Sequence, residues 1–368
     1  MPNIAGSMKD WEYTFDPVSK TDWIRQIEVD LRQKPISSLH SEWWPGEALS
    51  PLLHTEDYSG EPIRLPDHLF EQPPRITEFI NLNGFTTTDV NRKILEALKY
   101  GAQSIILHPG ESENLFQKEW FADVLTEIVT LAIQVKGAGR ETFKNLISSS
   151  PAYLLHRIER STGTPLADIL DLASNSGHQS LYSMRFVYHL PAEGAWDLST
   201  ANVFNTILDD FNTWTNAGLN PESFFNQVIL SIEASQFYFK HIIQTRVIHL
   251  LWLNLLNHHS IGFTGMSSHP VECHIEQHAD ETPQHFLIRA STAALAAAMS
   301  GTDALCLHHS DQPGMQSFYR RINRNIHHLL NLECDMYKGR DPISGAFAID
   351  LHARNWTRNI WDKLLLEK

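Results

Sequence analysis

The stretch YSMRFVYHLPAEGA, residues Tyr182–Ala195, decides how this chain folds. Met184, Phe186, Val187 and Tyr188 form a short run rich in aromatic and β-branched residues, which predicts a buried strand. The run stops at His189, Leu190 and Pro191, because proline has no N–H to give a strand ladder. Glu193 and Gly194 then open a helical stretch through Trp196 and Phe204 to about Trp214. The unit is strand, turn and helix, with a Tyr-His pair at the strand's carboxyl end. In barrels and open sheets of parallel strands, that end carries binding and chemistry. Tyr188 and His189 are therefore the first site candidates.

The same unit recurs in both directions. Toward the N-terminus, 76–82 (ITEFINL) reads as a strand, and Thr87–Tyr100 as a helix with Val90, Ile94, Leu95 and Leu98 on one face. SIILH (104–108) is a strand, followed by a helix around Leu115–Leu125 and a strand over Ile128–Val135. A fourth unit spans Ala152–Asp171 with a short or degraded strand. Toward the C-terminus, strands over Gln227–Ile232, Val271–Ile275 and Ala304–His308 alternate with helices over Ser235–Leu256 and Gln284–Met299. A helix over Phe318–Met336, a short strand Ala346–Leu351 and a terminal helix Trp356–Leu366 complete the pattern.

Eight strands alternating with helices over about 250 residues predict an α/β fold, a (β/α)8 TIM barrel. An open doubly wound sheet is the alternative, but no Gly-rich phosphate loop follows any strand. The barrel is expected over 75–368 with a C-terminal helical extension, behind an N-terminal helical and extended arm over 1–74. In the arm, Thr21 or Asp22 is expected to cap an amphipathic helix through Trp23, Ile24, Ile27 and Leu31. From Lys34 to Pro74 no period is sustained, and such a segment is stable only when laid against its own domain or a partner.

A hydrophobic fraction of 42% and a charged fraction of 20% describe a soluble globular chain with a sizeable core. The net charge of −14, with no basic stripe, argues against nucleic acid and anionic membrane surfaces as partners. No segment approaches the roughly 18 consecutive apolar residues of a membrane helix, and the N-terminus lacks a signal-peptide stretch. Cys273, Cys306 and Cys334 lie far apart without metal-ligand spacing and read as reduced thiols, so a cytoplasmic location is expected. The 20 histidines raise the question of a metal, with His308-His309-Ser310-Asp311 ending the last barrel strand and His269, His274 and His278 before a helix. Neighbours such as His308 and His309 point to opposite faces of a continuing strand, so no metal ligands are assigned.

Several blocks, in order, resemble the acyl-CoA-binding barrel of the methylmalonyl-CoA mutases. VYHLPAEGA resembles the family's Tyr-His followed by Glu-Ala-Gly-Ala. YFKHIIQTRVIHLLW (238–252) resembles its helix carrying an Arg and then Leu-Trp, with Arg246 and Trp252 retained. FLIRASTAALAAAMSG (286–301) resembles its Arg-Thr-rich helix, with Arg289 retained. RINRN (321–325) and DPISGAFAID (341–350) resemble its Arg-Ile-Ala-Arg-Asn and Asp-Pro-x-x-Gly-Ser-Tyr-Tyr-x-Glu. Trp23–Leu31 and the later GEALSPLLHTED resemble its opening helix and lead-in.

The resemblance implies an interconversion of methylmalonyl-CoA and succinyl-CoA that uses adenosylcobalamin. It places Tyr188 and His189 on the catalytic pair, active or vestigial, with His189 donating to the thioester carbonyl. It places Arg246 and Arg289 on acyl-CoA, although pairing to a barrel carboxylate such as Glu233 competes. It sets Asp311 and Gln312 facing the cofactor, where the family has Asp-Glu. Ala192 stands for the family's Glu, with Glu193 one place along, and Ile248 replaces a small hydroxyl residue. The family's cobalamin motif has no counterpart; Asn257-His258-His259-Ser260-Ile261-Gly262 has Asn for its Asp and lies inside the barrel.

The expectation is thus a small (beta) subunit without a cobalamin domain, non-catalytic alone, binding no cofactor itself and forming a heterodimer with a large subunit. The alternative is a barrel active with cobalamin supplied by a separate small chain. Bulky side chains across the barrel axis would mean that no acyl-CoA enters.

Overall fold

The computed structural model describes residues 18–44, 47–49, 53–58, 60–108, 117–135, 150–151, 153–160, 165–176, 183–262, 270–308, 316–334, 336–337 and 339–366. The chain forms two compact units, Met1–Glu61 and Pro62–Lys368.

In the first unit, helix α1 covers Lys20–Asp30. Its cap is Ser19 rather than Thr21 or Asp22: the Ser19 backbone is extended and its hydroxyl accepts the Asp22 N–H. The aperiodic stretch that follows contains a small antiparallel pair, β1 (Ser41–Trp44) and β2 (Glu47–Leu49).

The second unit holds the barrel. Its strands are β3 (Arg75–Asn81), β4 (Ser104–His108), β5 (Thr130–Val135), β6 (Leu154–Glu159), β7 (Met184–Leu190), β8 (Val228–Glu233), β9 (Val271–Glu276) and β10 (Ala304–His308). Each pairs in parallel with the next, and β10 pairs with β3, so the ring closes. The fold is the expected (β/α)8 barrel. Around it lie α2 (Thr87–Lys99), α3 (Leu166–Ser176), α4 (Trp196–Asn216), α5 (Pro221–Phe225), α6 (Tyr238–His258), α7 (Pro283–Met299), α8 (Gln316–Leu332) and α9 (Phe347–Leu366).

Outward-facing strand residues pack on the helices. Phe186 of β7 stacks on Phe224 and meets the Trp214 edge, closing the core under α4 and α5. Helix α6 is buried almost all round, because it touches β9 through His241 and Cys273 while α9 covers its outer side.

Three expectations need correction. The fourth unit has a full six-residue strand, β6. Where a helix was expected around Leu115–Leu125, the described part is a single 3-10 turn, Lys118–Phe121, and 109–116 lie outside the described residues. Ala346–Leu351 is no strand: α9 already begins at Phe347, and Ile349, Ala353, Ile360 and Leu364 recur at helical spacing on its buried side.

Candidate active site at the mouth of the barrel

The carboxyl ends of the strands surround a cavity of about 690 Å3. Several strands end on a polar residue that reaches it: β4 on His108, β6 on Glu159, β8 on Glu233, β9 on Glu276 and β10 on His308. His189 and His274, each inward-facing by strand alternation, also line it. Arg320 reaches the same cavity and lies 3.6 Å from Glu78, another of its carboxylates. The mouth is thus acidic, with histidines between the carboxylates.

Strand alternation separates the Tyr-His pair. Strand β7 continues through His189 to Leu190, so neighbouring side chains take opposite faces. His189 faces the mouth, 41% exposed, with Nε2 3.7 Å from Glu159 Oε1. Glu159 also accepts from Gln134 Nε2. Tyr188 instead points outward and is 2% exposed. Its hydroxyl donates to Asp210 Oδ2 at 2.7 Å, and Arg160 holds the same carboxylate through Nε at 2.7 Å and Nη2 at 2.8 Å. Burial, and then the Asp210 charge, push the Tyr188 hydroxyl well above its ordinary pKa. Tyr188 and His189 thus lie on opposite faces of β7.

The two candidate arginines are also occupied elsewhere. Arg246 is fully buried in α6; its Nη1 lies 2.9 Å from both Asp341 oxygens, and its Nη2 donates to the Ile63 carbonyl. Asp350 adds a second carboxylate at 3.5 Å. The carboxylates that hold it are these, not Glu233. Arg289 forks onto Glu281 at 2.9 and 2.8 Å. Glu193, shifted by one place in the sequence, accepts from Ser235 and Lys240. Asp311 and Gln312 lie outside the described residues.

Below the mouth the lumen is crossed by charge. Arg157 of β6 and Glu272 of β9 meet through a two-pronged ion pair, with Nη1 3.0 Å from Oε2 and side chains 7% and 6% exposed. Their strands stand three places apart in a ring of eight, so the pair spans the interior. Burial pushes the Glu272 carboxyl up, but Arg157 and His274 more than offset this and hold it below the ordinary carboxylate range. Arg185 lies near the pair and near Arg75; burial and these two cations lower it to about 10. Arg75 is paired with Asp303.

The sequence assigned no metal ligands, yet the mouth gathers a possible set: His274, Cys306 and His308. The histidines were visible in the sequence; their company with Cys306 was not. The pairing of β9 with β10 places Cys306 opposite His274, and only that register puts both on one inner face.

Residues 188–365, which begin at Tyr188 and cover the second half of the barrel and α9, match the family model described as Methylmalonyl-CoA mutase. This half of the chain is similar to the methylmalonyl-CoA mutase family. Among curated members, the chain is 24% identical over 406 residues to the methylmalonyl-CoA mutase small subunit of Porphyromonas gingivalis, covering 96% of this chain and 63% of that protein. It is 22% identical to a probable methylmalonyl-CoA mutase small subunit of Mycobacterium bovis, covering 78% and 51%. The chain therefore spans between about half and two thirds of the length of these mutase subunits. Similar solved structures include dihydropteroate synthase from Xanthomonas albilineans, with a TM-score of 0.40 and 15% identity over 71% of this chain and 93% of that one. The Plasmodium falciparum HPPK-DHPS aligns with a TM-score of 0.46 and 13% identity over 78% and 51%. No helix among the described residues is long and apolar enough to cross a membrane.

Proposed function

We propose that this chain acts as a small (beta) subunit of a methylmalonyl-CoA mutase, a barrel that supports a large catalytic subunit in a heterodimer and turns over no substrate itself. The assembled enzyme would interconvert methylmalonyl-CoA and succinyl-CoA. The observation that carries this reading is the Arg157–Glu272 pair across the lumen. A thioester arm following the barrel axis would have to break a buried ion pair, at a cost of about 3–5 kcal/mol. The mouth adds to that barrier. An acyl group bearing a carboxylate would meet Glu159, Glu233 and Glu276, while Arg246 and Arg289 are committed to Asp341 and Glu281.

Adenosylcobalamin supplies the radical chemistry of the family's reaction. The described residues of this barrel do not fit the substrate on which that chemistry acts, so in this reading the cofactor works in the partner's barrel. The names of the relatives support a large partner. Cys273, Cys306 and Cys334 are free thiols, which suits a reducing cytoplasm.

Co-expression with a large subunit should give a stable heterodimer whose mutase turnover is unchanged by His189→Ala. A chain that stays monomeric beside the large subunit overturns the proposal. One observation favours the second reading, a barrel that works with cobalamin from a separate chain: His189 does face the mouth, beside Glu159. Loss of turnover in His189→Ala, with the complex intact, would select that reading instead.

A further inference from the structure

The proposed supporting role makes no use of the imidazole and thiol cluster at the mouth. His274, Cys306 and His308 face inward from two adjacent strands, with Cys306 directly opposite His274. Their ligand atoms, one nitrogen from each ring and the Cys306 sulfur, all lie within 4.8 Å of one another. His274 Nδ1 is 3.2 Å from His308 Nε2. The two ring planes are 8° apart and their centroids 5.3 Å apart, so the facing nitrogens lie between the rings. Bonds of about 2.0–2.1 Å to nitrogen and about 2.3 Å to sulfur would set tetrahedral ligand atoms roughly 3.3–3.6 Å apart. The imidazole pair already stands near that spacing.

We propose that His274 Nδ1, Cys306 Sγ and His308 Nε2 bind a zinc ion at the barrel mouth, with the fourth position open to the cavity. Thiolate and imidazole together suit zinc over magnesium or calcium, which take oxygen ligands. Cys306 binds as the thiolate and releases its proton to solvent.

The surroundings supply what a zinc site needs beyond its ligands. His274 Nε2 lies 2.9 Å from Glu272 Oε1, a carboxylate that accepts a hydrogen bond from Nε2–H and so leaves the Nδ1 lone pair free for the metal. Arg157 fixes that carboxylate from the other side. Phe79 sets its ring edge-on to both histidines, with centroids 5.5 and 4.5 Å away, and so restricts their rotation. Entry is through the mouth, which His274 and His308 line. The open position would take a water, or a carbonyl or carboxylate oxygen from a bound molecule. This is the arrangement of a reactive rather than a closed structural zinc site, and it stands whether or not the chain is a mutase subunit.

The test uses the full chain, stripped with a chelator and titrated with Zn2+ and Co2+. One Zn2+ per chain is expected by elemental analysis, and Co2+ should give a thiolate-to-cobalt charge-transfer band with the intense visible bands of tetrahedral cobalt. Cys306→Ser should remove the charge-transfer band, and His308→Gln should weaken zinc binding at least tenfold. The exposed positions Cys334→Ser and His278→Ala should leave both unchanged. A folded chain, verified by near-ultraviolet circular dichroism, that holds no stoichiometric zinc overturns the proposal; the two histidines would then simply share a hydrogen bond. A thiolate band that survives in Cys306→Ser, or one lost in Cys334→Ser, overturns it equally. Should Cys306→Ser not fold, the His308→Gln titration decides in its place.

Discussion

At the scale of single residues, Tyr188 and His189 show how a motif can be split by one peptide unit. Tyr188 serves the sheet-to-helix core through Asp210, while His189 faces the mouth. Tyr188→Phe should cost about 1.5–3 kcal/mol in urea unfolding, the worth of a buried hydrogen bond to a charged group, and leave zinc binding unchanged. Arg246→Ala should cost more, about 3–5 kcal/mol, because it leaves the buried Asp341 and Asp350 without their cation. Stability should also fall in mild acid. Burial lowers His156 and His241 to about 4 and, with His328 nearby, His327 to about 3, from an ordinary 6.5. Above pH 6.5 these rings are neutral in both folded and unfolded chains, and their contribution to stability is fully present. As the pH falls from 6.5 toward 4 the unfolded chain takes up protons that the folded one refuses, so the folded state loses ground. A melting temperature that holds level between pH 7 and pH 5 would refute this.

At the scale of elements, periodicity served well wherever one face of an element is buried. Helix α2 has Val90, Ile94 and Ala97 on its buried side, and its boundaries differ from the sequence reading by a single residue. It failed where the signal was short. The alternation in Ala346–Leu351 fits a strand over five or six residues, yet Ile349 joins Ala353, Ile360 and Leu364 in a helical stripe once α9 packs on α4 and α6. Helix α6 gave little amphipathic signal because it is covered on both sides; His241, Gln244, Thr245, Arg246 and His249 are buried within it. Gly301, between α7 and β10, has φ +78°, and a Cβ there would lie 3.1 Å from Leu69 Cβ and 3.2 Å from the Phe70 ring. Gly301→Ala should therefore destabilise by about 1–3 kcal/mol, read from the urea midpoint.

At the scale of the molecule, ring closure decides what the barrel can admit. Arg157 and Glu272 are 115 residues apart and meet only because β6 and β9 face one another across the lumen. Removing one partner, as in Glu272→Ala, should destabilise by about 3–5 kcal/mol. Replacing both, Arg157→Met with Glu272→Leu, should be neutral or stabilising by about 1–4 kcal/mol, since the pair's desolvation cost goes with it. Calorimetry with acyl-CoA should detect no binding to the wild-type chain. Binding there would show that the lumen is open despite the pair.

The sequence by itself determined most of the order of strands and helices, the barrel, and the resemblance to the methylmalonyl-CoA mutases. Those properties rest on hydrophobic period and turn chemistry, which act over a few residues and are written locally. Only the tertiary structure decided the partners: Asp341 and Asp350 for Arg246, Asp210 for Tyr188, Glu272 for Arg157, and Cys306 for the mouth histidines. Each of these depends on strand register, side-chain face and closure of the ring, which join residues far apart along the chain and leave no local trace in it.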